Sequence, residues 1–506
     1  MDNEMQQIKF RQEREALKEM ERTVNNCPFR TRYHIMPPVG WLNDPNGLCQ
    51  FRGIYHAYFQ YSPLSVHGGG GYWGHCISTD LLHWEYKPPV LTTDIPEDAG
   101  GVYSGSALIE DDHMYLFYTG NVKMPGDYDY IDSGRISTQI LTGSGDGQHM
   151  SEKVKLLGME DYPDDIAQHV RDPKVWKEDG RYYMVLGARA RAWDGSGQRS
   201  DKGCVLIYAS DDREKWSLCR KIVPEHKFGY MWECPDIFTL GGRRILSFCP
   251  QGLPSGPERY QNLYQSGYSL LPAHGPHKDH GDGQDDRTAE CIWDPEETFR
   301  EWDMGFDFYA PQSFEDEKGR RILIGWAGVP DTEKTHRNLS VGHGWQHCLT
   351  LPTELIYHNG RIFRRPVKEL EALPWKETDP DVTEDERRKY RWEKQTIEIT
   401  ESRIAGGERE YLIGQEDNGL TIRVSGDRVE LDFFNRYGEP SVCGGGRRTR
   451  AGRVEGSVEE LIVLVDSSIV EVFVNGGETV FTTRIYLEKK DRELVTDGRC
   501  RILALT

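Results

Sequence analysis

A short strand rich in aromatic and β-branched residues, entered through a charged or glycine turn, recurs five times in the first two thirds of the chain. Arg52-Gly53 precede Ile54 to Tyr61, Asp111-Asp112 precede Met114 to Gly120, and Asp179-Gly180 precede Tyr182 to Gly187. Gly241-Gly242 precede Arg244 to Cys249, and Lys318-Gly319 precede Arg321 to Trp326. With Tyr55, Tyr115, Tyr182, Arg244 and Arg321 as markers, the intervals are 60, 67, 62 and 77 residues. That period is long for a four-stranded propeller blade but accommodates one with its loops, so five repeats predict a five-bladed β-propeller. A second echo agrees: Ser78 to Trp84 and Ser210 to Trp216 have equal length and an Asp inside, as if one strand-loop-strand unit recurred.

Polar residues precede the markers at nearly constant distance. Asp44 lies 11 before Tyr55, Ser104 lies 11 before Tyr115, Asp172 lies 10 before Tyr182, Glu233 lies 11 before Arg244 and Asp307 lies 14 before Arg321. The innermost strands of a propeller line its central channel, so equivalent positions meet there. Asp is also an ordinary turn residue, but these three acids sit in unusually specific surroundings: Trp41-Leu42-Asn43-Asp44-Pro45-Asn46-Gly47, Arg171-Asp172-Pro173 and Trp232-Glu233-Cys234-Pro235-Asp236. Convergent carboxylates without a metal-ligand pattern suit glycosidic bond hydrolysis. One carboxyl protonates the leaving oxygen while another attacks or shields the sugar cation.

Those three segments resemble the signature of the glycoside hydrolase family 32 β-fructofuranosidases of bacterial type, the invertases and sucrose-6-phosphate hydrolases. Further matches are Phe59-Gln60, Trp73-Gly74-His75, Tyr103-Ser104-Gly105-Ser106, Asp307 to Gln312, Gly325-Trp326 and Val472 to Asn475. The resemblance runs from about Tyr33 to the C-terminus. It implies an all-β protein, a five-bladed propeller followed by a C-terminal β-sandwich. It implies Asp44 as nucleophile, Glu233 as general acid/base and Asp172 as transition-state stabiliser. It also implies a fructose subsite lined by Asn43, Gln60, Trp73, Tyr103, Ser104, Arg171, Asp307 and Trp326. Tyr103 stands where Phe is common, and Gly68 to Gly71 lengthen the loop before Trp73.

The chemistry sets expectations for each acid. Amide donors in Asn43 to Gly47 would hold Asp44 ionised. Apolar Trp232, Cys234 and Pro235, with two facing carboxylates, would favour protonated Glu233, while Arg171 would keep Asp172 an anion. No step calls for a metal or an organic cofactor.

A chain of 506 residues is long enough for two sizeable cores. The domains are expected at 1–28 (charged, helical), 29–357 (catalytic propeller), 358–380 (linker) and 381–506 (sandwich). Alternating runs such as Thr396 to Ile399, Leu420 to Val424, Val429 to Phe433 and Ile469 to Val474 predict the antiparallel sandwich. Asp379-Pro380, within the charge-dense Glu377 to Lys394, reads as a solvated crossing. A formal net charge of −20 argues against nucleic acid and anionic membranes; the partner is a small sugar, and homo-oligomerisation stays open. Met1 to Val24 has no apolar signal region, but Leu17, Met20 and Val24 fall at helical spacing. Eleven scattered cysteines without a Cys-x-x-Cys pair fit a reducing, cytoplasmic setting.

Decoys and alternatives are weighed against this. Glu290-Cys291 and Trp293-Asp294-Pro295 mimic the catalytic segments but fit no offset, so they read as loop. His274, His277 and His280 beside Asp279 and Asp282 read as a solvated loop rather than a metal site. His75 reads as a structural histidine at least as readily as a substrate contact. A fructan hydrolase, a fructosyltransferase and a non-catalytic sugar-binding propeller are the alternatives; the presence of all three acids disfavours the last. An intracellular setting favours sucrose or short fructo-oligosaccharides over inulin. Lys123 and Arg189 are candidate phosphate-binding cations, but the overall acidity leans the expectation toward unphosphorylated sugar.

Overall fold

The marker strands are apolar on both faces because each lies inside a sheet that is covered on both sides. Eight of nine residues of Ile54–Ser62 are buried. The computed structural model describes residues 17–69, 71–272, 290–331, 338–379, 381–382, 387–393, 396–404, 407–434 and 448–506. Within them five antiparallel sheets of four or five strands follow one another along the chain. Their first strands are Gly40–Phe51, Val102–Glu110, Ile166–Glu178, Met231–Leu240 and Tyr309–Glu315. Each packs on the next, and the fifth packs on the first, closing a ring. A late segment, Trp345–Gln346, pairs in parallel with Gly40-Trp41 and ties the last repeat to the first sheet.

The five first strands share a defect. The ladder to the second strand slips at Asp44, at Tyr103-Ser104, at Asp172-Pro173, at Cys234-Pro235 and at Ala310-Pro311. A β-bulge leaves an extra residue unpaired and re-aims side chains, and proline, which cannot donate to a ladder, is tolerated there. Asp172, Cys234 and Ala310 all take positive φ, 63°, 48° and 48°. The bulges put Arg171, Glu233 and Tyr309 at one equivalent position on three neighbouring sheets. The second echo is also real. Ser78 with Asp80, Ser144 with Asp146 and Ser210 with Asp212 build the same hydrogen-bonded turn in sheets one, two and three.

After the fifth sheet the chain forms a six-stranded and a seven-stranded sheet around one apolar core, the expected sandwich. Asn475, Gly476 and Gly477 turn with positive φ between Ile469–Val474 and Thr479–Arg484. Residues 17–25 are helical, and Leu17, Met20 and Val24 face the protein as their spacing predicts. Where irregular chain was expected, three segments hold strands. Arg361–Pro366 completes the fifth sheet, and Trp375–Glu377 pairs with Arg501–Leu505 of the sandwich. Arg388–Arg391 joins the seven-stranded sheet while Tyr390 and Trp392 enter its core. Glu290–Trp293 is an edge strand parallel to Ser217–Pro224, and Asp294 caps a 3-10 turn by accepting from the Glu296 N–H. His274, His277, Asp279, His280 and Asp282 lie outside the described residues. No described helix is long and apolar enough to cross a membrane.

Candidate active site

At the bulged end of the ring opens a cleft of about 750 Å³ whose walls include Asp44 and Glu233. Asp44 is re-aimed by its own bulge. Its Oδ1 accepts from Asn43 Nδ2 and its Oδ2 from Ser104 Oγ, both at 2.9 Å. Asn43 is itself oriented by the Trp41 indole N–H, which reaches its Oδ1 at 2.7 Å. Burial pushes the Asp44 carboxyl up and the Glu233 charge adds to this, while the Asn43 and Ser104 donors act against them.

Glu233 meets donors rather than the apolar walls expected from its sequence neighbours. Arg171 donates to Oε1 from Nε at 3.1 Å and Nη2 at 2.6 Å. Oε2 accepts from Gln251 Nε2 and from Tyr309 Oη, each at 2.7 Å. Trp232 and Cys234 turn away into apolar cores, as alternation along a strand requires.

Asp172 lies deep in the same end, and its expected state needs correction. Arg171 precedes it in sequence but bonds Glu233, not Asp172. Asp172 Oδ2 accepts from the Cys234 N–H at 2.9 Å, and its own N–H donates to Thr119 Oγ1. Burial, with Glu233 and Asp44 adding their charges, raises it to about 7; Arg171 and the Cys234 N–H act against this without prevailing. The charges of all three acids therefore act on one another at one end of the ring.

The other expected sugar contacts divide. Asn43, Tyr103, Arg171 and Trp326 line the cleft. Gln60 is Asn43's cross-strand partner, buried, with its Nε2 donor unmatched; the Trp326 Nε1 donor is also unmatched. Ser104 reaches the site through Asp44. Trp73 is fully buried in an apolar core and gives its indole N–H to the Tyr103 carbonyl, so it stands behind the wall rather than in it. Asp307 is not in the cleft. It precedes the fifth inner strand, is buried, and pairs with Arg484 of the sandwich at 2.7 Å. His75 is structural: buried, stacked on Tyr58 and His56, and bonded to His56 at 3.1 Å.

Sequence reasoning missed Tyr309, Gln251 and His169. Tyr309 adjoins Ala310, which lies 11 before Arg321; Asp307, at 14, broke the offset that would have found it. His169 accepts from Arg171 Nη1 at Nδ1, 3.1 Å, so its Nε2–H donates to the Tyr130 carbonyl at 2.8 Å. Burial, with Arg171 and Arg135 nearby, lowers it to about 2, a neutral ring.

Comparisons with known proteins agree along the chain. The Glycosyl hydrolases family 32 N-terminal domain matches residues 34–366, and the family's C-terminal domain matches residues 425–499. A sucrose-6-phosphate hydrolase of Bacillus subtilis (strain 168) is 34% identical over 493 residues, covering 93% of this chain and 92% of the relative. The structure of a Lactobacillus gasseri sucrose-6-phosphate hydrolase superposes with TM-score 0.78 at 26% identity, covering 97% of this chain and 96% of that one. A Bombyx mori GH32 β-fructofuranosidase gives TM-score 0.77 at 29% identity, covering 99% and 97%.

Proposed function

This chain belongs to glycosyl hydrolase family 32 and is a β-fructofuranosidase, and we propose that it cleaves sucrose and related small fructosides with retention, through a fructosyl ester on Asp44. The observation that carries this reading is the meeting of Asp44, Asp172 and Glu233 at one end of the ring. Asn43 and Ser104 aim the Asp44 carboxylate at the anomeric carbon. Glu233 passes a proton to the leaving oxygen. The carboxylate it becomes is received by the Arg171 guanidinium and by the Gln251 and Tyr309 donors, already in place. Donors fixed before charge develops cost no reorganisation when it does. Water activated by Glu233 then releases fructose from Asp44. Asp172, an anion in the loaded site, bonds sugar hydroxyls more strongly as the ring gains positive charge. The unmatched Trp326 N–H on the cleft wall suits a fructose hydroxyl.

Product analysis on sucrose in aqueous methanol tests the reading. Glucose, fructose and β-methyl fructofuranoside are expected. An α-methyl product means inversion and removes the nucleophile; no cleavage of any fructoside removes the activity.

A further inference from the structure

The catalytic reading leaves two cations on the cleft wall without a task. Lys123 ends the strand His113–Lys123, Arg135 opens Arg135–Ser144, and the two are direct cross-strand partners. Like charges facing each other across an antiparallel pair are destabilising, and a neighbouring carboxylate commonly relieves them. Among the described residues neither cation has such a partner. Arg135, only 8% exposed, gives its Nε to the Tyr130 carbonyl and its Nη1 to Asn121 Oδ1, both neutral acceptors at 3.2 Å. The Lys123 ammonium lies over the Tyr130 ring, 5.5 Å from its centroid. Burial and the nearby Arg171 charge lower the Arg135 pKa, the mark of a cation short of a counter-charge. The other cleft arginines are matched: Arg171 to Glu233, and Arg189 to Asp201 at 2.6 Å.

Acidic groups of the cleft have other occupations. Asp129 Oδ1 accepts the N–H groups of Ile131, Asp132 and Ser133, and Asp331 accepts from the Tyr264 hydroxyl. The cation pair is also correctly placed along the substrate path. Arg135 and His169 share the Tyr130 carbonyl, His169 meets Arg171, and Arg171 meets Glu233. One hydrogen-bonded relay thus separates the pair from the carboxyl that serves the leaving group.

Resting on the β-fructofuranosidase reading above, we propose that Lys123 and Arg135 form a subsite for a phosphate on the leaving-group sugar, making the preferred substrate a phosphorylated disaccharide of sucrose type. This reverses the lean that overall acidity suggested: net charge acts at long range and is screened, whereas a buried guanidinium beside an ammonium binds a phosphate at contact.

The test is kcat/KM of the full chain on sucrose 6-phosphate and on sucrose. A preference of at least about tenfold for the phosphorylated sugar is expected, falling at high salt. Lys123→Gln, at an exposed position that folding tolerates, and Arg135→Gln should each reduce that ratio about tenfold, and Lys123→Arg should restore most of it. In parallel, glucose 6-phosphate should inhibit wild type far better than glucose does, a difference that Lys123→Gln erases. Equal use of both sugars by the wild type, or a preference unchanged in Lys123→Gln and Arg135→Gln, overturns the subsite while leaving the hydrolase reading intact. Failure to cleave either sugar overturns the hydrolase reading instead.

Discussion

Arg171 donates two hydrogen bonds to one oxygen of Glu233 across 62 positions of sequence, at 3.1 and 2.6 Å. The contact exists because the bulges of the third and fourth sheets set both residues at the same height facing the cleft. Only 11% and 16% of the two side chains is exposed, so the pair is held rather than merely adjacent.

Arg171→Lys is therefore not conservative. A lysine cannot bond Glu233 twice while also holding His169. Loss of kcat/KM on sucrose by about 10²–10³, the cost of removing one fixed donor to developing charge, is expected with a small change in Tm. Steady-state kinetics and thermal melting measure both, and activity within about tenfold of wild type rejects the role.

Glu233→Ala should be selective. Sucrose needs a proton on its leaving oxygen, whereas an activated aryl fructoside does not. Cleavage of sucrose should fall by at least about a hundredfold more than that of the aryl substrate. Equal losses on the two substrates remove Glu233 from the acid role.

The strand recurrence was legible because each inner hairpin repeats the same turn, and three of the bulges carry an X-Pro step that sequence displays: Asp172-Pro173, Cys234-Pro235 and Ala310-Pro311. What sequence hides is which neighbour a bulge aims inward. Asp172 is adjacent to Arg171, yet the guanidinium serves Glu233. Asp307 looked like a fifth site residue, but it faces the sandwich, and a partner such as Arg484 comes from 177 residues away. Trp73 sits in a motif, but only packing reveals that it is fully buried. Lys123 was legible as a cation and illegible as a partner of Arg135, because that pairing follows from hairpin register.

Asp172 carries a stability cost with a defined sign. Its folded carboxyl is raised to about 7, mainly by burial, above an unfolded value of ~3.9. The folded state holds the proton more tightly, so stability falls as pH rises between those values and stays reduced above them. Asp172→Asn should thus be more stable than wild type at pH 8, by on the order of 2–4 kcal/mol, and nearly equal at pH 4. Its activity should fall severely. Chemical denaturation at the two pH values measures this, and a variant less stable at pH 8 contradicts it.

His34 works in the opposite sense at the junction of propeller and sandwich. Its Nδ1 meets Asp466 at 2.8 Å and its Nε2 meets Glu471 at 3.0 Å, all three buried. Burial alone would lower it, but the two carboxylates overcome this and raise it to about 9. The stabilisation is complete below the ordinary histidine value of ~6.5 and is lost as pH rises through about 9. His34→Ala should lower stability by roughly 3–5 kcal/mol at pH 6, and the gap to wild type should narrow by pH 10. A gap independent of pH means that the ring acts only by packing.

The central claim is that Asp44 becomes covalently fructosylated. Rapid acid quench of enzyme turning over a fructoside, followed by proteolysis and mass spectrometry of the peptides, asks this directly. A hexosyl adduct is predicted on the peptide containing Asp44, and no adduct in Asp44→Ala, whose turnover is abolished. An adduct on the Glu233 or Asp172 peptide, or residual turnover in Asp44→Ala within about tenfold of wild type (roughly 1.4 kcal/mol), would contradict the account.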